Sequence, residues 1–253
     1  MNNKIVIPVS GGMDSTTLMY MAAEKGYTNL RILSFFYGQR HKKELDNVRY
    51  HVSKLLQKYI DKKEYLSVHL NPIDISFMGK IASTSSLTNL EIDNPKISEM
   101  AGDAQPVSYV PFRNMIFLSI CASYAESVAA DTIWYGAAQI DSAAGYWDCD
   151  QNFIDSINNL ISLNRQTQIK VEAPLLSMSK ADIVREGVRL GVDFSKCWTC
   201  YSNRKDGLAD ATTPSSALRL KGFLEAGYKD PIQYVQQDKI EEQYIKFGCK
   251  DNY

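Results

Sequence analysis

The stretch IPVSGGMDSTT, Ile7 to Thr17, constrains this chain more than any other. A β-branched apolar run breaks into two glycines, an aspartate and four hydroxyls, and an apolar helical pattern resumes at once. A strand that ends in such a turn and feeds a helix is the opening unit of an α/β sheet. The alternation then repeats along the chain. KIVIPVS (4–10), LRILSFF (30–36), EYLSVHL (64–70), DTIWYGA (131–137) and IKVEAP (169–174) read as five buried strands. Between the second and third, Leu45, Val48, Val52, Leu55, Leu56 and Tyr59 recur at helical spacing, and Phe153, Ile154, Ile157, Leu160 and Ile161 mark another helix. A third opens at Ser179, with Asp182 three residues on, and carries Ile183, Val184, Val188 and Leu190. The pattern predicts a doubly wound, Rossmann-like parallel five-stranded α/β sheet over residues 1–195. Residues 71–108, with Pro, Ser, Asn and Gly scattered through them, read as an insertion looping over the cleft, and 196–253 as a helical C-terminal appendage.

Charge narrows the partners. With 28 basic and 29 acidic residues and a formal net charge of −1, the chain lacks the basic excess that bulk nucleic acid or an anionic membrane would select. A small polar ligand fits better. No apolar run approaches the roughly 20 residues of a membrane span, and no charged region precedes a signal-type apolar stretch, so a cytoplasmic location is expected. Five cysteines, at 121, 149, 197, 200 and 249, are odd in number and scattered, which does not make a disulfide framework.

In a doubly wound sheet the ligand sits beyond the carboxyl ends of the strands, where the opening stretch lies. Gly11 and Gly12 allow a tight turn through Met13, while Ser10, Ser15 and Thr16 offer hydroxyls. The free amides of the following helix would face an anion, which makes the turn a phosphate cradle. It is neither G-x-x-x-x-G-K-[ST] nor G-x-G-x-x-G. A carboxylate at Asp14 would repel a phosphate unless a divalent cation lay between them, which implies Mg²⁺. The plainer alternative is a glycine turn whose Asp and Ser cap a helix.

SGGMDST resembles the pyrophosphate loop of the N-type ATP pyrophosphatases. FFYGQRH (35–41), YVPFRNMIFLS (109–119), GAAQIDSAAGYWDCDQNFI (136–154), APLLSMSKADIV (173–184) and WTCYSN (198–203) follow in an order and spacing similar to the 7-cyano-7-deazaguanine synthase family. That resemblance implies an adenine nucleotide alpha hydrolase fold and a role in queuosine biosynthesis. It further implies conversion of 7-carboxy-7-deazaguanine, ATP and ammonia to an amide and then a nitrile. The chemistry suits such residues: a carboxylate is a poor acyl donor until it becomes a mixed anhydride with AMP. Charge developing at the α-phosphorus is stabilised by amides, Mg²⁺ and a lysine. Carried onto this sequence, the family pattern assigns ATP binding to Ser10, Gly11, Gly12, Met13, Asp14, Ser15 and Thr16, to Phe36, Tyr37, Gln39 and Arg40, and to Lys180. Asp14, Lys180 and Arg113 are the catalytic candidates, with Mg²⁺ on Asp14. Arg113, Asn114, Asp141, Gly145, Tyr146 and Asp148 are the candidates for the deazapurine. Arg113 offers a fork to a carboxylate or phosphate. The aromatics of DSAAGYWDC would stack on a planar ring, and its two acids would accept guanine-like N–H groups. As plainer alternatives, Lys180 would be a solvated helix-start lysine, 141–149 a surface turn, and His41 an ordinary histidine.

The sequence departs from the family at the C-terminus. Family members place four thiolates around a structural zinc. Here Cys200 fits the first position, and the others fall on Asp210, Thr213 and Ser216. Cys197 and Cys200, with Cys249 and a carboxylate, are the remaining zinc candidates, and the expectation is that the chain holds none. Packing by Leu218, Leu220, Phe223 and Leu224 and hydrogen bonds would take over, leaving a looser appendage and making nitrile formation the more vulnerable step. The loss also admits two other functions. One is a relative in antiviral defence that couples the activated deazaguanine to a protein amine, with the tail 234–253 as a docking surface or simply a solvated helix. The other is a non-catalytic sensor of ATP or a deazapurine. The expected partners are the deazapurine and ammonia, with a homodimer possible.

Overall fold

Five short apolar runs pair side by side, each strand parallel to its neighbours: β1 (Lys4–Pro8), β2 (Asn29–Phe36), β3 (Ser67–Asp74), β4 (Thr132–Trp134) and β5 (Lys170–Glu172). The computed structural model describes residues 3–37, 43–87, 108–139, 146–198 and 207–251. The sheet order is β3-β2-β1-β4-β5. The order therefore reverses between β1 and β4, and the crevice beyond their carboxyl ends is where a ligand enters such a sheet.

Alternation along the strands separates two cores. Ile5, Ile7, Leu30 and Ile32 meet α1 (Met13–Glu24), α2 (Lys43–Asp61) and a later helix, α6 (Lys180–Leu190). Val6, Leu33, Ile133 and Val171 face the other way, against α4 (Arg113–Ser127) and α5 (Gln151–Ile161). Burial on both faces explains why β1 reads as a continuous apolar run. A short turn of helix, α3 (Met78–Ile81), follows β3. The Ser179 signal forms a full capping box: Asp182 N–H donates to Ser179 Oγ at 3.1 Å, and Ser179 N–H to the Asp182 carboxylate at 3.1 Å.

The third strand lies later than 64–70. Lys63, at φ 60°, is still closing α2, and pairing with β2 runs from Ser67 to Asp74. Residues 71–74 thus belong to the sheet and not to the insertion. Pro72 reads as a breaker in sequence. However, β3 is an outer strand, where a missing N–H removes no bond the sheet requires. β4 and β5 are shorter than the apolar runs that predict them; after Trp134 the chain leaves the sheet, and Tyr135, Gly136 and Ala137 line the crevice.

Residues 207–251 carry α7 (Pro214–Ala226) and α8 (Gln237–Phe247). Ala209, Leu220, Leu224, Tyr234, Ile240 and Tyr244 form a small core of their own. Phe223 instead joins the main core, edge-on to Phe194 with ring centroids 5.4 Å apart. Among the described residues, no helix is long and apolar enough to cross a membrane.

Candidate functional site

A cleft of about 410 Å³ opens at the reversal point, bounded by the loop after β1, by Tyr135, Gly136 and Ala137 after β4, and by the start of α7. The loop is shaped by backbone. Gly11 has φ 79°, and a Cβ there would come within 2.5 Å of the Glu44 carbonyl oxygen, so only glycine fits. Gly12 begins α1 in extended conformation, and no side chain caps the helix. Its first-turn amides remain available to an anion. Ser10 N–H donates to Ser15 Oγ at 3.2 Å, and the two hydroxyl oxygens lie 3.1 Å apart. Ser10, Gly12, Met13, Asp14 and Ser15 all line the cleft. Thr16 does not: its side chain is wholly buried.

Lys180 reaches this loop from the first turn of α6. Its ammonium donates to both oxygens of Asp14 at 2.8 Å, with the side chains 15% and 25% exposed. Asp14 is therefore already met by a cation of the chain itself, a neutralisation separate from the Mg²⁺ that a lone carboxylate calls for.

The opposite wall carries the other predicted group. Arg113 begins α4 directly after Phe112, which sits in the left-handed region at φ 53°. Its guanidinium lies over the rings of Tyr37 and Phe117, 5.6 and 5.8 Å from their centroids, a placement that favours a cation. Nε donates to Asn114 Oδ1 at 3.2 Å, and Nη1 lies 3.5 Å from the Tyr37 hydroxyl. Asn114 is itself buried and donates to Cys149 Sγ at 3.7 Å. Asp148 is buried behind Cys149, where Tyr135 Oη donates to its carbonyl at 3.1 Å. Burial raises the Asp148 carboxyl above its ordinary range, and the nearby Arg113 charge opposes that shift. Tyr146 and Ser108 share a 2.7 Å hydroxyl contact at the cleft wall.

Of the predicted residues, the structure brings Ser10, Gly12, Met13, Asp14, Ser15, Tyr37, Arg113, Asn114, Tyr146 and Lys180 to one cleft. Gly11 shapes the loop from behind, and Phe36 is not among the lining residues. Gln39, Arg40, His41, Asp141, Gly145 and Cys200 lie outside the described residues. Sequence reasoning missed Phe117, Tyr135 and Cys149, and also Thr213, Pro214, Ser215, Leu218 and Arg219 of the appendage. Phe117 had a signal: it stands four residues after Arg113 on a predicted helix, hence on the same face.

The three positions that stand where zinc thiolates would be expected do meet, as oxygen groups. Thr213 Oγ1 lies 2.8 Å from the Asp210 carbonyl oxygen and 3.0 Å from Ser216 Oγ, while the Asp210 carboxylate accepts from Thr212. Cys197 is buried with Sγ 3.4 Å from His51 Nε2, and burial pushes its thiol up to about 12. Zinc binds thiolate, and of the two cysteines that the sequence offers near this point Cys197 is a buried thiol beside His51 while Cys200 lies outside the described residues. Among the described residues no cluster of three or more His, Cys, Asp or Glu is placed to hold a metal ion.

The group that ties the appendage to the chain before it, Arg219, is held by an ion pair buried within the appendage. Arg219 Nε and Nη2 donate to the two Asp230 oxygens at 2.7 and 2.8 Å, and neither side chain is exposed. The guanidinium also donates to the carbonyls of Cys197 (2.6 Å) and Phe194 (2.9 Å), and Tyr234 Oη donates to Asp230 at 2.7 Å. Leu220, Phe223 and Leu224 pack as the apolar pattern predicts, whereas Leu218 lines the cleft.

Known proteins share this arrangement's sequence over nearly its whole length. The family model described as queuosine biosynthesis protein QueC matches residues 4–227. A 7-cyano-7-deazaguanine synthase from Clostridium kluyveri is 40% identical over 237 residues, covering 91% of this chain and 97% of the relative. One from Thermoplasma volcanium is 38% identical over 252 residues, 97% and 95% of the two chains. Among solved structures, the U34-tRNA thiolase NcsA from Methanococcus maripaludis is similar with a TM-score of 0.49 and 16% identity, over 97% of this chain and 72% of that one. By the match over residues 4–227 and the identity to full-length relatives, the chain belongs to the queuosine biosynthesis protein QueC family.

Proposed function

We propose that the chain is an ATP-dependent ligase that adenylates the carboxylate of 7-carboxy-7-deazaguanine and releases pyrophosphate. Ammonia then displaces AMP to give the amide, whose oxygen is adenylated in turn and eliminated as AMP to leave 7-cyano-7-deazaguanine. The observation that carries this reading is one cleft with the Asp14–Lys180 pair at a phosphate-type loop on one wall and Arg113 over two aromatic rings on the other.

In this reading the substrate carboxylate attacks the α-phosphorus in line with the departing pyrophosphate. The α1 amides and Lys180 hold the charge that gathers on the phosphate oxygens. Arg113, kept in place by Asn114 and Tyr37, orients the deazapurine carboxylate with a two-pronged hydrogen bond. Magnesium suits this site only as an ion carried on the nucleotide phosphates, since Mg²⁺ is satisfied by one or two carboxylates plus phosphate and water. Asp14 would hold it there, and the ion would supply positive charge to the leaving group.

Incubation with ATP, 7-carboxy-7-deazaguanine and ammonia tests the reading. Pyrophosphate release that requires the deazapurine, with two pyrophosphates per nitrile, is expected by mass spectrometry of products. Release without the deazapurine, or its mass appearing on a protein instead of ammonia, overturns it. Arg113→Ala is expected to raise KM for the deazapurine by roughly 10- to 100-fold, the worth of a charge-assisted hydrogen bond. KM for ATP should move much less, and equal losses for both ligands would remove Arg113 from substrate recognition.

The oxygen groups at 210, 213 and 216 lead to a further expectation about metal. The purified protein should carry less than one zinc per chain, and chelation should leave its melting temperature unchanged. Tightly held stoichiometric zinc would mean that Cys197 and Cys200 build a different site.

A further inference from the structure

Lys180 is not held by Asp14 alone. Its stem runs beneath α7 at Gly222, where an added Cβ would lie 2.5 Å from Lys180 Cγ, 3.1 Å from its Cβ and 3.3 Å from its carbonyl carbon. Ordinary contact begins at 3.4 Å, so a side chain at 222 would need roughly 1 Å that a packed interior does not supply. The lysine cannot retreat on its own account, because its far end is fixed 2.8 Å from both Asp14 oxygens.

Three residues before Gly222, on the same face of α7, Arg219 binds the carbonyls of Phe194 and Cys197. The next residue, Trp198, donates its amide to the Gly11 carbonyl at 3.2 Å. One helix face therefore reaches the phosphate end of the cleft twice, directly at the lysine stem and, through Cys197 and Trp198, at the glycine loop. We propose that Gly222 is a positioning residue for phosphate chemistry. Its missing side chain is the slot in which Lys180 lies, and the Arg219 anchor sets the depth of that slot. The C-terminal module is thus part of the adenylating machinery.

The proposal rests on the ligase reading for what Lys180 does, but not for how it is held. Gly222→Ala, Lys180→Ala and the double variant form a cycle read in two ways. Alanine favours a helix over glycine, so any fall in melting temperature of Gly222→Ala runs against propensity and reports the clash. That fall should largely vanish on the Lys180→Ala background, where Cγ is gone. In pyrophosphate release, Gly222→Ala should lower kcat by about 10²-fold, as expected for a reacting group displaced by about 1 Å. KM for the deazapurine should stay within about twofold, and the change should have no further effect once Lys180 is absent. Equal melting losses on both backgrounds, or an unchanged kcat in Gly222→Ala, would overturn the proposal. If Gly222→Ala does not fold, folding of the double variant supports the slot, and failure of both overturns it. A wild-type chain that releases no pyrophosphate would sink the ligase reading and leave the melting cycle to decide the slot.

Discussion

Asp230→Ala is expected to destabilise the protein by about 3–5 kcal/mol, a large part of the stability of an ordinary domain. The reason is asymmetry. Arg219 and Asp230 are both fully buried, and to the described residues the guanidinium makes two bonds to that carboxylate beside those to the carbonyls of Cys197 and Phe194. Truncation removes the carboxylate that pairs with this buried cation, and it strips Tyr234 of the acceptor it meets at 2.7 Å. The pair's net worth is a separate and smaller quantity, since desolvating both ions offsets most of their attraction. Replacing both residues by apolar ones should therefore cost less than Asp230→Ala alone. Urea unfolding of the single and double variants measures this. A suitable control is the exposed Lys221–Glu225 pair at 3.7 Å, 67% and 48% exposed. Breaking that pair should change stability by less than about 1 kcal/mol. An Asp230→Ala variant as stable as the control would show that the appendage is held by something else.

This anchor changes one expectation. A chain with oxygen groups in place of zinc ligands suggests a loose appendage and a vulnerable second step. The structure instead ties α7 to the chain just before Trp198 through a charge-assisted network, and Trp198 to the loop.

The sheet and the phosphate loop were legible because they are local. Strands buried on both faces read as apolar runs, α2 and α5 show one apolar stripe each, and the Ser179 to Asp182 capping signal lies within one turn. Arg219 was not legible. In ALRLKGF it resembles a solvated helix position, and its partner stands eleven residues on, beyond any helical or strand period. Gly222 reads as a weak point in that helix, since nothing in one sequence places the Lys180 stem against it. Phe112 in the left-handed region is equally hidden: no glycine or asparagine marks the turn that aims Arg113. Pro72 misled for the opposite reason, being a strong local signal whose meaning depends on whether the strand is outermost.

Lys180→Ala is expected to lower kcat for pyrophosphate release by about 10³-fold, the upper end for loss of one preorganised donor to a developing anion. The variant loses more than a donor. Its removal leaves the Asp14 carboxylate facing the phosphates uncompensated, so KM for ATP should rise as well. Asp14→Asn should slow the chemical step more than it weakens ATP binding, because the lysine remains but loses the fork that aims it. If the two act as a unit, the double variant will be no slower than Lys180→Ala. Stability should fall too, since the lysine stem packs under Gly222 and the pair is only 15% and 25% exposed, so rates are compared where the variant remains folded. Lys180→Arg should fail to restore the rate: a planar guanidinium is a poor substitute for a compact ammonium, and the slot under Gly222 has no spare volume. Near wild-type turnover in Lys180→Ala, or losses that simply multiply in the double variant, would mean that the pair is a surface ion bridge and that the charge on the leaving pyrophosphate is met elsewhere in the cleft.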